Sequence, residues 1–341
     1  MTTIAVDAMG GDHAPVEIVH GAYLAAKEFG INVQLIGVKD LLEKELKKYD
    51  AFNLPIQIIH ADDVIDMGEL QPAISVRRKP NSSIVVAMNQ VANGLAGGVV
   101  AAGSTGAAAS AALLYLKRIE GIERPCIAAV VPSRTKPVIL ADAGANVEAT
   151  SQQLFQNALM GVALSKGIFK LGNPKVGLLN IGEEPGKGNT LVKETYQLLV
   201  NDKTLNFVGN VEGRDVPEGV CDVCVCDGFV GNVFLKTAEG FAKMVTALLR
   251  EELTRDAVSK IGAYFAKGSF YRLRKRVDYS EYGGAQLLGV KGVCIIAHGS
   301  SKHIAIKNAV RVAKEAVEAN IITILESMVN SYANKEEKSK R

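Results

Sequence analysis

Short β-branched runs recur along the 341-residue chain with helical stretches between them, and this alternation restricts the fold more than any other feature. TIAVDA, VQLIGV, IQIIHA, GGVVAAG, CIAAVVP, PVILADA, KVGLLNI, LNFVGN, CDVCVCD and GVCIIAHG read as strands. Amphipathic stretches such as VEIVHGAYLAAKEFG, SSIVVAMNQVANG and GAAASAALLYLKR separate most of them. Strands covered on both faces by crossover helices have this pattern, which predicts an α/β protein whose mostly parallel sheet is sandwiched by helices. No internal repeat or Pro/Ser-rich linker divides the chain, so residues 1–333 read as one interwoven domain. Residues 241–276 are helical in pattern without a strand, far beyond a normal crossover helix, and are expected to project as a hairpin that turns at Gly268. The charged end, 334–341, lacks apolar periodicity and reads as a flexible tail.

Apolar residues make up 48% of the chain, yet their runs break well short of the roughly 20 residues that a membrane span needs. A balance of 39 basic and 36 acidic residues is too even to indicate nucleic acid. MTTIAVDAMGG enters a strand pattern at once, without the basic start and apolar core of a signal peptide, so a cytoplasmic protein is expected. The five cysteines form no disulfide framework. Three of them lie in CDVCVCDG, where an extended strand turns Cys224 and Cys226 to one side and Cys221 to the other. With no His or Cys partner pattern following, they read as small apolar residues in a buried strand, and neither metal nor cofactor is expected.

Ligands of open parallel sheets bind beyond the carboxyl ends of strands. Five strand-to-helix loops there combine Gly with small polar residues: DAMGGDHAP, AGSTGA, NIGEEPGKGN, CDGFVGN and AHGSS. NIGEEPGKGN approaches a nucleotide P-loop but fails it twice. Gly182 and Gly186 are one residue too close, and Lys187 is followed by Gly188 where a magnesium-binding Ser or Thr belongs. What survives is a backbone cradle for a small anion, with the point charge of Lys187, or else a solvated turn with a surface lysine. In the first loop Gly10 and Gly11 allow a tight turn, while His13 is a base, an anion donor or a cap-region structural residue. That loop lacks the glycine fingerprint of a dinucleotide site. Ser104 and Thr105 offer hydroxyls at a helix start, without the G-x-S-x-G setting of a serine nucleophile. Asn232 is an amide able to hold a carbonyl or phosphoryl oxygen, and Asp227 at the strand end is placed with it among the substrate-binding residues, a helix cap being the plainer reading; His298 and Ser300 carry the same ambiguity as His13. Together the loops describe a site rich in anion donors and poor in bases. Phosphate as a reactant suits it, because the dianion is already nucleophilic and a thiolate of pKa about 8.5 leaves without strong acid help. Positioning and charge stabilisation then supply the catalysis.

AVDAMGGDHAP, AGSTGA, NIGEEPGKG, CDGFVGN and DYSEYGGAQLLG, in this order and over nearly the whole chain, resemble the PlsX-type phosphate acyltransferases. The resemblance implies a fold similar to phosphotransacetylases and isocitrate dehydrogenase-like proteins. It also implies formation of long-chain acyl phosphate from acyl carrier protein and inorganic phosphate, with the product passing to the membrane acyltransferase PlsY for phospholipid synthesis. A homodimer with peripheral membrane association is part of the same expectation. Carried onto these residues, Lys187 neutralises the attacking phosphate and the oxyanion, and Asn180 and Asn232 hold oxygens. Gly182, Gly186 and Gly188 form the cradle, Ser104 and Thr105 a neighbouring contact, and His13 and His298 are weaker donors.

The projecting segment carries Lys260, Lys267, Arg272, Arg274, Lys275 and Arg276 with no acidic residue from 259 to 276, beside Phe265 and Phe270. Basic flanks around aromatic bulk suit anionic lipid, while a dimer contact or a face for acidic carrier protein is the other reading. Rival functions are a soluble phosphotransacetylase-like enzyme using acyl-CoA and a non-catalytic acyl-phosphate or lipid-binding module.

Overall fold

In the computed structural model, residues 2–277 and 279–339 are described, with the side chains of 274–280 and 334–339 outside the described set. The first part of the chain forms β1 (Thr3–Asp7), α1 (Val16–Phe29), β2 (Asn32–Gly37), α2 (Lys39–Leu46), β3 (Ile56–His60), α3 (Pro72–Arg78), α4 (Ser83–Ala92), β4 (Gly98–Ala101) and α5 (Thr105–Ala111). The middle adds β5 (Cys126–Val131), β6 (Val138–Ala141), α6 (Ser151–Ile168), β7 (Lys175–Asn180), α7 (Thr190–Asn201), β8 (Asn206–Glu212) and β9 (Val223–Val225). The remainder forms α8 (Gly228–Thr254), α9 (Ala257–Val277), β10 (Ala285–Leu288), β11 (Val293–Ile296), α10 (His303–Glu318) and α11 (Ile321–Ser339).

The eleven described strands join one sheet in the order β3-β2-β1-β4-β11-β10-β5-β6-β9-β7-β8. Strands β3, β2, β1, β4 and β11 are parallel to one another, as are β6, β9, β7 and β8. Between these blocks β10 is antiparallel to both β11 and β5, and β5 is antiparallel to β6. Three antiparallel pairings reverse the direction, so the two parallel blocks run oppositely within one sheet. The sequence pattern predicts the parallel blocks but not this seam, because β10 is only four residues long and lies in AQLLG, which carries no β-branched residue.

Both faces are covered. In β1, Ile4 and Val6 enter the core beneath α1, α6, α10 and α11, while Ala5 enters the core beneath α4 and α5. This double burial explains why the strands read as unbroken apolar runs. Cys221 departs from the alternation expected of it. Strand β9 begins only at Val223, so Cys221 lies outside the strand and packs into the same core cluster as Cys224 and Cys226. All five cysteines are buried.

The segment forms two helices, but it turns elsewhere than expected. The break falls at Arg255 and Asp256 between α8 and α9, and Gly268 lies inside α9. Gly228 and Gly231 in the first turn are the buried residues of α8, Phe234 and Leu235 pack half-buried against the core, and large apolar side chains from Phe241 to Leu249 stay exposed. At the chain end α11 continues to Ser339, while Lys340, Arg341 and the side chains assigned to the tail lie outside the described residues.

Helix α6, which carries the loop after β6 into the core, opens on a capping box. Thr150 Oγ1 accepts from Gln153 N–H at 3.2 Å, and Gln153 Oε1 accepts from Thr150 N–H at 3.3 Å. Thr150→Ala removes one acceptor from the helix start and is expected to cost about 0.5–2 kcal/mol, read as a lower urea midpoint with unchanged slope.

Candidate functional site

Three of the five loops meet at the carboxyl ends of β1, β4 and β11. Asp12 N–H donates to the Gly299 carbonyl at 2.9 Å. Gly10 approaches Gly103 so closely that a side-chain carbon on Gly10 would come within 2.9 Å of the Gly103 backbone, and Gly11 lies against Ala102 and Gly299. Ser104 Oγ accepts from Ala107 N–H at 3.4 Å, which makes it the cap of α5, and Thr105 is exposed as the first helical residue. His298 Nδ1 lies 2.8 Å from Ser300 Oγ, and His13 is exposed at the edge of the first loop.

Beneath these loops lies a residue that the sequence reading passed over. Asp7, 3% exposed at the end of β1, accepts from Met9 N–H at 3.2 Å. Burial pushes its carboxyl pKa up, opposed by hydrogen bonds from the Ser83 side chain and the Met9 and Gly10 backbone. The available signal was an acidic residue closing an otherwise apolar strand.

The lysine loop joins β7 to α7, whose cap is Asn189, with Oδ1 accepting from Val192 N–H at 2.9 Å. Asn180 Nδ2 donates to the Lys187 carbonyl at 3.2 Å, and its Oδ1 accepts from Ile181 N–H at 2.8 Å. The Asn180 amide therefore shapes the loop, with one of its two N–H donors already engaged. Lys187 N–H donates to the Glu184 carbonyl at 3.0 Å, closing a turn. Gly182 is buried beneath the Lys187 stem, Gly186 faces open space, and Gly188 packs on Asn180. The Lys187 ammonium is exposed and has no ion pair or hydrogen bond among the described residues. Glu183 and Glu184 are exposed too, and neither pairs with a base among the described residues.

At the end of β9, Asp227 Oδ1 accepts from Phe229 and Val230 N–H at 3.0 and 2.9 Å, the cap of α8. Asn232 is exposed one turn further on, beside Gly144, with its amide unpaired among the described residues. The neighbouring ADAGAN loop, missed in the sequence despite the same small-polar character, is organised by fully buried Asp142. Its Oδ1 accepts from the Ile127, Gly144 and Ala145 N–H groups at 3.0, 3.0 and 2.9 Å. Its Oδ2 accepts from Asn146 N–H at 2.8 Å and Asn146 Nδ2 at 3.0 Å. Among the described residues no hydrogen bond or ion pair joins the three-loop cluster to the lysine loop or to the Asp227 loop. The structure thus groups three of the five loops directly and sets the other two on strands of the opposite block.

The family described as fatty acid synthesis protein matches residues 2–324. The chain is 50% identical over 319 residues to the phosphate acyltransferase of Dictyoglomus turgidum, covering 93% of this chain and 95% of that protein. It is 49% identical over 328 residues to the phosphate acyltransferase of Pelotomaculum thermopropionicum, covering 96% and 95%. The chain belongs to this family. Similar solved structures include a phosphotransacetylase from Streptococcus pyogenes, with TM-score 0.60 and 18% identity over 93% of this chain and 94% of the other. A 4-hydroxythreonine-4-phosphate dehydrogenase from Klebsiella pneumoniae has TM-score 0.52 and 12% identity over 93% and 99%. These distant likenesses show a shared fold. The relatives at about 50% identity are enzymes, phosphate acyltransferases.

The three-loop cluster is braced from behind. Glu17 Oε2 accepts from the His303 backbone N–H and lies 2.7 Å from His303 Nδ1, tying α1 to the start of α10. The His20 ring stacks on His303 with centroids 4.2 Å apart and planes 22° apart, and on Tyr49 at 4.9 Å. Imidazole lone pairs in nearly parallel planes share no in-plane point at ligand distance, so the trio is a stack and a cap rather than a metal cage. Burial and the nearby His303 hold the His20 pKa below its ordinary 6.5, against the opposing pull of Glu17. The unfolded chain therefore binds the His20 proton more readily, and stability falls as pH drops below about 6.5 toward the lower folded value. His20→Gln is expected to flatten that part of the melting-temperature profile between pH 7 and 5.

Proposed function

We propose that this protein transfers a long-chain acyl group from acyl carrier protein to inorganic phosphate, yielding acyl phosphate and the free carrier thiol. A phosphate oxygen attacks the thioester carbonyl carbon, the tetrahedral oxyanion collapses, the C–S bond breaks and the thiolate takes up a proton. The observation that carries this reading is an exposed Lys187 ammonium, unpaired among the described residues, on a glycine loop whose shape is held by the Asn180 amide and the Lys187 backbone. Such a cation is free to bind an incoming anion. Lys187 is assigned the charge on phosphate and oxyanion, and Asn232 the amide contact to an oxygen, while Asn180 acts by holding the loop.

Direct attack without an acyl-enzyme is supported by what the candidate nucleophiles do. The cysteines are buried, and the Cys126, Cys226 and Cys294 thiols are pushed up by burial, Cys294 to about 12. Ser104 Oγ is engaged as a cap. At about 4.8 Å per strand, β11 and β9 lie about 19 Å apart across the sheet and run in opposite directions.

The α8–α9 hairpin suits two contacts. Phe241, Met244, Val245 and Leu248 leave α8 an exposed apolar stripe for a second copy of the chain. Helix α9 has no acidic residue and exposes Val258, Tyr264 and Phe265 beside Lys260, Lys267 and Arg272, with Phe270 half-buried. The side chains of Arg274, Lys275 and Arg276 lie outside the described residues. Among the described residues no helix is long and apolar enough to cross a membrane, so this contact is peripheral, at about 1 kcal/mol per basic residue on anionic lipid. A water-averse acyl phosphate formed there is well placed for a membrane acyltransferase such as PlsY.

The deciding assay is phosphate-dependent thiol release from long-chain acyl carrier protein, compared with acyl-CoA and with phosphate omitted. Lys187→Ala is expected to lower turnover about 100- to 1000-fold with the fold intact. Wild-type turnover of that variant at saturating phosphate would remove Lys187 from the mechanism, and preference for acyl-CoA would favour the soluble phosphotransacetylase-like alternative. For the hairpin, Lys267→Glu with Arg272→Glu should release the protein from anionic vesicles in flotation. Unchanged flotation would refute lipid contact through these residues.

A further inference from the structure

The last sheet pair contains an irregularity that bears on the lysine loop. Val176 pairs with Phe207, but the next residue, Gly177, pairs with Gly209, so Val208 is an extra residue in β8. Gly209 takes φ +99°, a conformation that side-chain-bearing residues rarely adopt. The insertion switches the alternation of faces. Phe207 packs toward the core beneath α6 and α7, yet Val211, four residues on, packs into the opposite core. Asn210, in register with Leu178, is thereby turned to the α7 side. Its Nδ2 donates to the Glu184 carbonyl at 2.9 Å, the same carbonyl that accepts Lys187 N–H.

We infer that Asn210 is a positioning residue for Lys187, delivered to the loop by the Val208–Gly209 bulge. The Lys187 peptide is held from both sides. Asn180 Nδ2 takes its carbonyl, and Asn210 Nδ2 fixes the carbonyl that takes its N–H. Asn210 is 6% exposed, and its Oδ1 has no hydrogen-bond partner among the described residues. A half-satisfied buried amide is unfavourable for stability alone, and an apolar residue would pack there at less cost. What the amide contributes is the donor to the loop, at the type of irregularity that re-aims side chains beside functional sites.

The kinetic part of this inference rests on the acyl phosphate reading, whereas the clamp itself does not. Asn210→Asp keeps the size and loses the Nδ2 donor, and Asn210→Ala removes the side chain. Both are compared with the full-length wild-type protein well below their own melting temperatures. Amide hydrogen exchange of 182–189 should accelerate about tenfold in both variants while the β4 amides are unchanged. Unaltered exchange in 182–189 would overturn the clamp, whatever the enzyme's substrate. In the thiol-release assay the phosphate KM should rise about tenfold, with the acyl-donor KM within about twofold. In a Lys187→Ala background, adding Asn210→Ala should change turnover less than about twofold. A phosphate KM unchanged within twofold, or full additivity with Lys187→Ala, would overturn the positioning role. If the wild-type protein releases no thiol with phosphate, the functional reading fails, and exchange at Lys187 still decides the clamp.

Discussion

The antiparallel seam of β10, β5 and β6 is the constraint on which the rest of the structure depends. Parallel blocks place their functional loops beyond the strands' carboxyl ends, and one uninterrupted block would line all of them along a single sheet edge. Reversing the direction at mid-sheet divides them. The glycine-rich loops of β1, β4 and β11 belong to one block, and those of β6, β7 and β9 to the other.

Around these loops, carboxylates and amides are used mostly to hold backbone. Asp142 accepts five N–H bonds, Asp227 two, and Glu17 bridges to the first residue of α10. Asn180 and Asn189 bind within the lysine loop. Internal satisfaction of this kind gives short loops defined shapes without disulfide or metal. It also leaves Lys187 as an uncommitted cation, since a salt bridge to Glu183 or Glu184 would compete with any incoming anion. Preorganised charge of this kind is most effective for a reaction in which negative charge moves from phosphate to a thioester oxygen.

Much of the architecture was legible in the sequence because strands buried on both faces leave unbroken apolar runs, and loops with Gly and small polar residues stand out between them. Lys187 was legible as the one lysine in such a loop. The less legible features depend on pairing partners distant in the chain. Strand β10 was hidden in AQLLG because four central residues need little β propensity when both neighbours supply hydrogen bonds. Cys221 broke a period-2 expectation because the strand starts two residues later. Asn180 has a loop-holding bond to the Lys187 carbonyl that its sequence neighbours do not reveal. Gly268 sits within a helix, and the turn instead falls at Arg255 and Asp256, where neither Gly nor Pro marks it. Asn210 could not be found from periodicity at all, because the bulge that aims it changes which face each residue occupies.

The bulge also explains how a rim strand can serve the site. In the sheet order β8 is an edge strand, and edges are where ladders are most easily interrupted. An extra residue in a central strand would disturb two neighbours, whereas in β8 it shifts register against β7 alone. The edge position therefore permits one buried amide to face the lysine loop while Val211, the next residue, still fills the opposite core. A regular strand ending in the same Asn-Val pair, with Phe207 kept in place, would exchange them, burying the amide in the apolar core of the other face and leaving the Glu184 carbonyl without its Nδ2 donor. Register at the rim of the sheet and the setting of the lysine are thus one structural decision.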